Sequence, residues 1–431
     1  MTPLLSRFGG ARRIPAPKLA PRTRLSSPAA SPEAGLPFTG VLLMAAMALA
    51  WLIACSTPLF GIKLYYGILN HAPMVILAPL LLLNMMAAQL NRRAQPWGRI
   101  LSFCGPLLAL GLYAFVGSSV AKWVRLEKET YLTFGAYLLA LPLFIAAVPV
   151  FAAQARSWAR ALLVIAVGFG IASLIGELMK PRGSEVLHEI EYVVLSAFLM
   201  LYYAVRSNSL KLLALVMMAA AAVYNQKLTG YIILAMALVH IGSSAGWRRL
   251  DPRWRGTYAT AAVLGTVALA LLLLILYFEF RQYLPSGNAD VRLRQYEAAW
   301  RQFLASPIYG YAYLQNSGEE FTQAMRVMNI PTHSDLLDLL KHGGLIALGL
   351  FAWGYWKIFR LLNAAVVATV GDRLLNAFFV GMRFYQVTAL ATFAINPLLL
   401  KGPYLVIIWG MLGLAAGIAM TVVPHQRRVA R

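Results

Sequence analysis

Twelve apolar runs, most of them close to the ~20 residues a helix needs to cross a bilayer, constrain this chain more than any other feature. They lie at about 39–60, 70–90, 100–120, 131–151, 160–179, 188–205, 210–224, 228–246, 257–280, 343–363, 374–396 and 402–423, the seventh being the shortest. Within hydrocarbon every backbone N–H and C=O must be satisfied inside the protein, so segments of this kind become helices. With 60% hydrophobic and 13% charged residues, the sequence predicts an all-α, polytopic integral membrane protein of about twelve transmembrane helices. Residues 1–37 stand apart. They are rich in Pro, Ser, Ala and Arg and lack an apolar period, which reads as a disordered basic cytoplasmic tail. Residues 38–431 then make a single transmembrane domain.

A net charge of +22 would suggest a nucleic-acid partner in a soluble protein. Here its placement gives another explanation. Taking the tail as inside, the connections on that side carry 23 basic residues against Glu33, Asp251 and Asp372, whereas the opposite side carries 14 against 13 acids. Basic excess marks the cytoplasmic side of a membrane protein. Both termini are therefore expected inside, and no nucleic acid is needed. Cys55 and Cys104 both fall within apolar runs and read as small buried side chains, not as a disulfide framework.

The longest polar interruption after the tail is the loop Arg281–His342, between the ninth and tenth runs and on the outer side. It keeps aromatic anchors (Tyr296, Trp300, Phe303, Tyr309, Tyr311), so a folded, helical cap is expected. Its arginines, Arg292 and Arg294 among them, share the outer face with Lys180, Arg182 and Lys227. Each Lys or Arg at a helix end also has a simpler role, snorkelling to the headgroups. Together they suit a phosphate-bearing ligand, because arginine forks grip phosphate oxygens and lysine adds a point charge. Arg292 and Arg294 sit two apart on a helix predicted over 289–304, so they point to different faces. Arg292 shares a stripe with Tyr296 and with Ala299 or Trp300, and is the favoured ligand-facing arginine; Arg294 reads as solvated.

His333 is the sharpest single residue. Pro331 ends the preceding segment and Thr332 is expected to cap a helix whose first residue is His333. The positive end of a helix destabilises imidazolium, and a neutral imidazole can act as a general base. A surface histidine beside the membrane is the competing reading. His342 precedes Gly343-Gly344, where a bend or close packing is expected. No metal-ligand constellation, phosphate-cradling Gly-rich loop or serine nucleophile elbow is found.

At these residues the sequence resembles the O-antigen ligase/polymerase superfamily of membrane glycosyltransferases. Arg292-Leu293 followed by Tyr296 matches the family's Arg-Leu and aromatic, with Tyr in place of the usual Trp. Pro307-Ile308-Tyr309-Gly310 keeps the Pro and first Gly of Pro-x-x-Gly-x-Gly, while Ala312 replaces the second. His333-Ser334-Asp335-Leu336-Leu337 and Gly343-Gly344 fit the later motifs, and Gln226-Lys227-Leu228-Thr229-Gly230 is similar to a Ser-Arg-Thr-Gly segment with Lys227 in the arginine's place. The motifs cover about residues 225–350.

The resemblance implies transfer of a glycan from undecaprenyl diphosphate to an acceptor in the periplasm of a Gram-negative bacterium, by an inner-membrane enzyme without cofactor or metal. His333 would be the base. Arg292 and Lys227, with Arg182 or Lys180, would hold the pyrophosphate. The ligase branch, whose acceptor is the lipid A core oligosaccharide, fits better than the polymerases, since no outer-loop arginine has a Gly eleven positions on. It also fits better than the protein-glycosylating branch, which often carries a further C-terminal outer region. A transporter for an anionic lipid is the reading from a different class; such proteins place functional charge near the bilayer midplane on broken helices.

Overall fold

The computed structural model describes residues 97–125, 155–178, 191–225, 228–249, 287–310, 319–323, 326–330, 334–395, 398–399 and 402–423, with four isolated positions between 45 and 52. These form nine helices and one two-stranded sheet: α1 (Trp97–Arg125), α2 (Ala155–Leu178), α3 (Glu191–Ala204), α4 (Asn208–Asn225), α5 (Leu228–Arg249), α6 (Gly287–Ala305), β1 (Glu319–Gln323), β2 (Arg326–Ile330), α7 (Asp335–Ala368), α8 (Arg373–Ile395) and α9 (Gly402–Val422). Eight of the apolar runs and the helix expected over 289–304 are therefore helical. The runs at 70–90, 131–151 and 257–280, most of 39–60, and the tail 1–37 lie outside the described residues. By length and composition three helices suffice to cross a membrane, at Ala155–Ile175, Asp335–Ala368 and Arg373–Ile395, and five shorter ones are apolar.

The described bundle is arranged inside out relative to a water-soluble one. Large apolar side chains such as Leu112, Val164, Leu212, Val216, Trp353 and Trp356 are exposed, while Thr388, Thr392, Gln386 and Ser196 are buried. Such an exterior suits lipid. α3 is apolar all round and buried from Tyr192 to Met200, as expected of a helix surrounded by others. It packs against α2, α4, α5 and α8; α7 in turn packs against α1, α6, α8 and α9. Small residues set the closest crossings: a Cβ on Gly381 of α8 would collide with Met200 of α3, and one on Gly354 of α7 with Leu107 of α1. Close approach through glycine is a standard basis of helix association where lipid removes the hydrophobic drive.

α7 and α8 are joined by reciprocal polar contacts deep in the bundle. Tyr355 Oη donates to the Gln386 carbonyl at 2.7 Å, and Gln386 Nε2 donates to the Tyr355 carbonyl at 2.7 Å. Phe351, Tyr355, Phe393 and Trp409 cluster around them with ring centroids 5.2–6.5 Å apart. Arg383, the one charge within the eleventh apolar run, donates to Asn363 Oδ1 at 3.1 Å. That charge therefore pairs inside the bundle.

The two ends of the bundle differ. At one, Arg156 of α2 bridges to Asp372, which also caps α8 by accepting from Leu375 N, and Arg373 donates to the carbonyls of Tyr203, in the last turn of α3, and of Val205 just beyond it. These are the connections expected on the basic side, and they meet. At the other end the start of α7 meets residues 307–310 and 398–399.

α7 is broken. Gly344 adopts φ 61°, ψ −159°, so the 34-residue element is a short segment of nine residues, Asp335–Gly343, followed by a helix of span length, ~1.5 Å of rise per residue. The apolar run predicted to start at 343 begins at this break. Between α6 and α7 the helical cap expected from sequence gives way in part to a hairpin. β1 and β2 pair antiparallel from Glu319↔Ile330 to Gln323↔Arg326. In that register Phe321 stands opposite Met328 and Thr322 opposite Val327. The connecting Ala324-Met325 carries no Asn-Gly or Asp-Gly signal, which is why sequence pattern passed over it.

Candidate functional site

The site grows from the first turn of α7. Ser334 is its N-cap, with φ −157° and ψ 111°, and its hydroxyl accepts from Leu337 N at 3.3 Å. This corrects the expectation that Thr332 caps the helix and His333 is its first residue. Serine caps as well as threonine does. Its use moves the helix start two residues on, so His333 immediately precedes the cap in the chain. His333 itself lies outside the described residues.

With the cap supplied by Ser334, the first helical side chain is free for another task. Asp335, 2% exposed, turns away from its own helix. Its Oδ2 accepts from Leu398 N at 2.7 Å, and both oxygens accept from Leu399 N, at 3.1 and 3.0 Å. Asp338, Lys341 and His342 follow on the same short segment and are also buried, with Lys341 Nζ 4.0 Å from Asp338 Oδ1. Ionisable groups sequestered within a membrane bundle are costly and by default functional. In the sequence Asp335, three residues after Thr332, reads as a weak capping-box partner; its pairing with residues 398–399 and the grouping of Asp338, Lys341 and His342 are not evident there. The available signal was the density of ionisable residues directly before an apolar run.

The break at Gly344 is where two motifs meet. Ser306 to Gly310 closes a tight loop after α6: Gly310 N donates to the Ser306 carbonyl at 2.8 Å and Ser306 Oγ to the Gly310 carbonyl at 2.6 Å. That loop docks on α7 through main chain. Leu345 N donates to the Pro307 carbonyl at 2.8 Å and Ile346 N to the Ile308 carbonyl at 3.3 Å. Gly310 (φ 58°) and Gly344 (φ 61°) face each other. A Cβ on Gly310 would lie 2.6 Å from Gly344 N, and one on Gly344 would collide with the Ile308 carbonyl. Tyr113 of α1 also holds the loop, donating to the Tyr309 carbonyl at 2.8 Å. The Pro307-x-x-Gly310 and Gly343-Gly344 segments, 33 residues apart, thus form one unit.

α6 carries the favoured arginine. Gln295, Ala298, Ala299 and Phe303 are buried, and α6 packs against α7. Arg292 is half-buried at the end of that stripe, one turn before Gln295 and two before Ala299. Of the two stripe members left open by sequence, Ala299 is buried and Trp300 is 48% exposed. Arg294 is carried by α6, but its side chain lies outside the described residues, as do Lys180, Arg182 and Lys227.

No protein-family model matches this chain, and no curated protein matches it. Chemically, the arrangement offers a half-buried guanidinium on a helix that packs against α7, and an α7 whose start lies two residues beyond a histidine and whose break is docked by a glycine-bearing loop.

Proposed function

We propose that this chain is an O-antigen ligase: a multi-pass enzyme of the bacterial inner membrane, its active site facing the periplasm, that transfers a glycan from undecaprenyl diphosphate to a hydroxyl of the lipid A core oligosaccharide. The observation that carries the reading is the docking of Pro307–Gly310 onto Gly343-Gly344. Two motifs that resemble those of one glycosyltransferase superfamily, distant in sequence, are built into one main-chain unit at the far end of the nine-residue segment whose cap, Ser334, follows His333. The break in α7 falls nine residues from its start, near one end of the helix; a transporter would be expected to break paired helices near the midplane.

In this reading His333 takes the proton of the acceptor hydroxyl as its oxygen attacks the anomeric carbon. The bond from that carbon to the diphosphate oxygen breaks, undecaprenyl diphosphate leaves with the electron pair, and the anomeric configuration inverts. Arg292, with Lys227 and with Arg182 or Lys180, holds the diphosphate as charge develops on it, which is where preorganised cations contribute most. Arg294 is a further candidate from sequence. The scheme calls for no metal ion or other cofactor, and membrane lipid surrounds the spans.

Purified protein mixed with lipid-linked glycan and truncated lipopolysaccharide is expected to yield a glycan–lipid A-core conjugate, with or without chelator. Elongated lipid-linked glycan in place of that conjugate would assign the chain to the polymerases, and no transfer to any acceptor would refute the reading. Arg292→Ala should raise KM for the lipid-linked donor roughly ten- to hundred-fold, the scale of losing a charge-assisted contact. Arg292→Lys should recover only part, because the bidentate fork is gone. An unchanged KM in the alanine variant removes Arg292 from the clamp.

A further inference from the structure

We infer that Asp335 is a positioning residue: a carboxylate latch that ties the start of α7 to the connection between α8 and α9, and so fixes where the chain carrying His333 enters the site. The inference rests on the proposed transferase reading for its catalytic consequence, though not for the latch itself.

Asp residues in a first turn normally serve their own helix, accepting from its free N–H groups or facing its positive end from solvent. Asp335 reaches far beyond its own helix. Ser334 Oγ already accepts from Leu337 N, and the Asp335 carboxylate is directed 63 and 64 residues along the chain, to Leu398 N and Leu399 N. Two successive backbone N–H groups converging on one carboxylate hold it in both position and rotation. The contact is buried at both partners, with Leu398 and Leu399 fully inside. There is consequently no water to replace a lost acceptor, and removing it would leave buried amides unsatisfied.

The latch acts at one point of a short, otherwise clamped element. Asp335–Gly343 is held at its far end by the Gly344–Ile308 main-chain contact and at its near end by Asp335. Were the near end released, the segment could pivot about the break at Gly344, and the chain just before Ser334 would move most. Displacement of a reacting group by about 1 Å can cost on the order of 100-fold in rate. Binding of the donor diphosphate, assigned to cations on other elements, should be little affected.

Asp335→Asn tests this directly. Asparagine is nearly isosteric, but its amide nitrogen would turn a donor toward a main-chain donor. The full-length enzyme in lipid nanodiscs is followed by two readouts: hydrogen exchange at the Leu398 and Leu399 amides, and kcat and KM for lipid-linked glycan per folded molecule. Expected are faster exchange confined to 398–399 and the first turn of α7, a kcat roughly 10–100-fold lower, and a donor KM within about twofold of wild type. Asp335→Glu keeps both acceptor oxygens while displacing them by a methylene, and should fall between the two. Unchanged amide exchange in Asp335→Asn would overturn the latch. Released amides with wild-type kcat would overturn the positioning role, leaving a merely structural contact. Should Asp335→Asn fail to fold, Asp335→Glu decides: wild-type kcat in that variant also overturns the inference. A wild-type protein without turnover sinks the transferase reading and the positioning role with it, and the exchange data still report on the latch.

Discussion

His333→Ala abolishes detectable ligation while the protein folds and still binds lipid-linked donor: this is the result expected of the proposed chemistry. A positioned general base contributes about 10²–10⁴-fold. Here the attacking group is a sugar hydroxyl, which does not ionise near neutrality, so the loss should lie toward the upper end. His333→Gln separates proton transfer from orientation, because glutamine keeps a hydrogen-bonding group and cannot take the proton; it should be nearly as inactive as alanine. The wild-type rate should climb with pH as the imidazole loses its proton, since only the neutral form can act as a base, and then level off. Both variants are read as single-turnover rates with donor binding measured in parallel. Near-normal turnover in His333→Gln would show that the side chain orients the acceptor and that another group takes the proton.

The second large effect is expected from one methyl group. Gly344→Ala places a Cβ against the Ile308 carbonyl and within 2.6 Å of Gly310 N, both main-chain atoms that cannot rotate away. It also asks an alanine to hold φ 61°, ψ −159°, a region essentially confined to glycine at a cost of about 1–3 kcal/mol. The docked loop must then separate from α7, breaking the bonds from Leu345 N and Ile346 N. Turnover should fall at least tenfold and the midpoint of thermal unfolding should drop. Gly349→Ala, one turn further along α7, is the matched control: a Cβ there meets nothing within 4 Å, and alanine favours helix over glycine by up to ~1 kcal/mol. It should be neutral or slightly stabilising. Equal behaviour of the two variants would show that the Gly310–Gly344 contact contributes little in the membrane.

Much of this architecture was legible because hydrophobicity has a single consequence in a bilayer. The run expected at 374–396 is α8, Arg373–Ile395, and that at 402–423 is α9, Gly402–Val422. Composition announces such helices without help from tertiary context. The stripe through Arg292 and Ala299 was readable for the same reason, being a matter of 3.6-residue period. The bend at Gly343-Gly344 was anticipated from two adjacent glycines, but not what fills it: only the fold brings Pro307 to Gly310 there. The cap was misplaced because Thr332 and Ser334 are equally competent, and the choice is made by where Asp335 is needed. That need is set by Leu398 and Leu399, which no local pattern connects to residue 335. The hairpin was missed because the two residues between its strands in sequence, Ala324-Met325, include neither glycine nor asparagine. Long-range pairings and turn geometry are the layers at which one chain's pattern stops being informative.

The reciprocal bonding of Tyr355 and Gln386 has a mechanical meaning as well. Two parallel main-chain acceptors and two side-chain donors, buried among aromatic rings, resist both sliding and twisting of α7 against α8, since either motion breaks both bonds where no water can substitute. Arg383 and Asn363 add a second tie between the same helices. That seam is stiff. Under the proposed function, a bulky, flexible lipid donor entering sideways would meet the greatest resistance at this seam, and the pair would serve as a stationary wall for it.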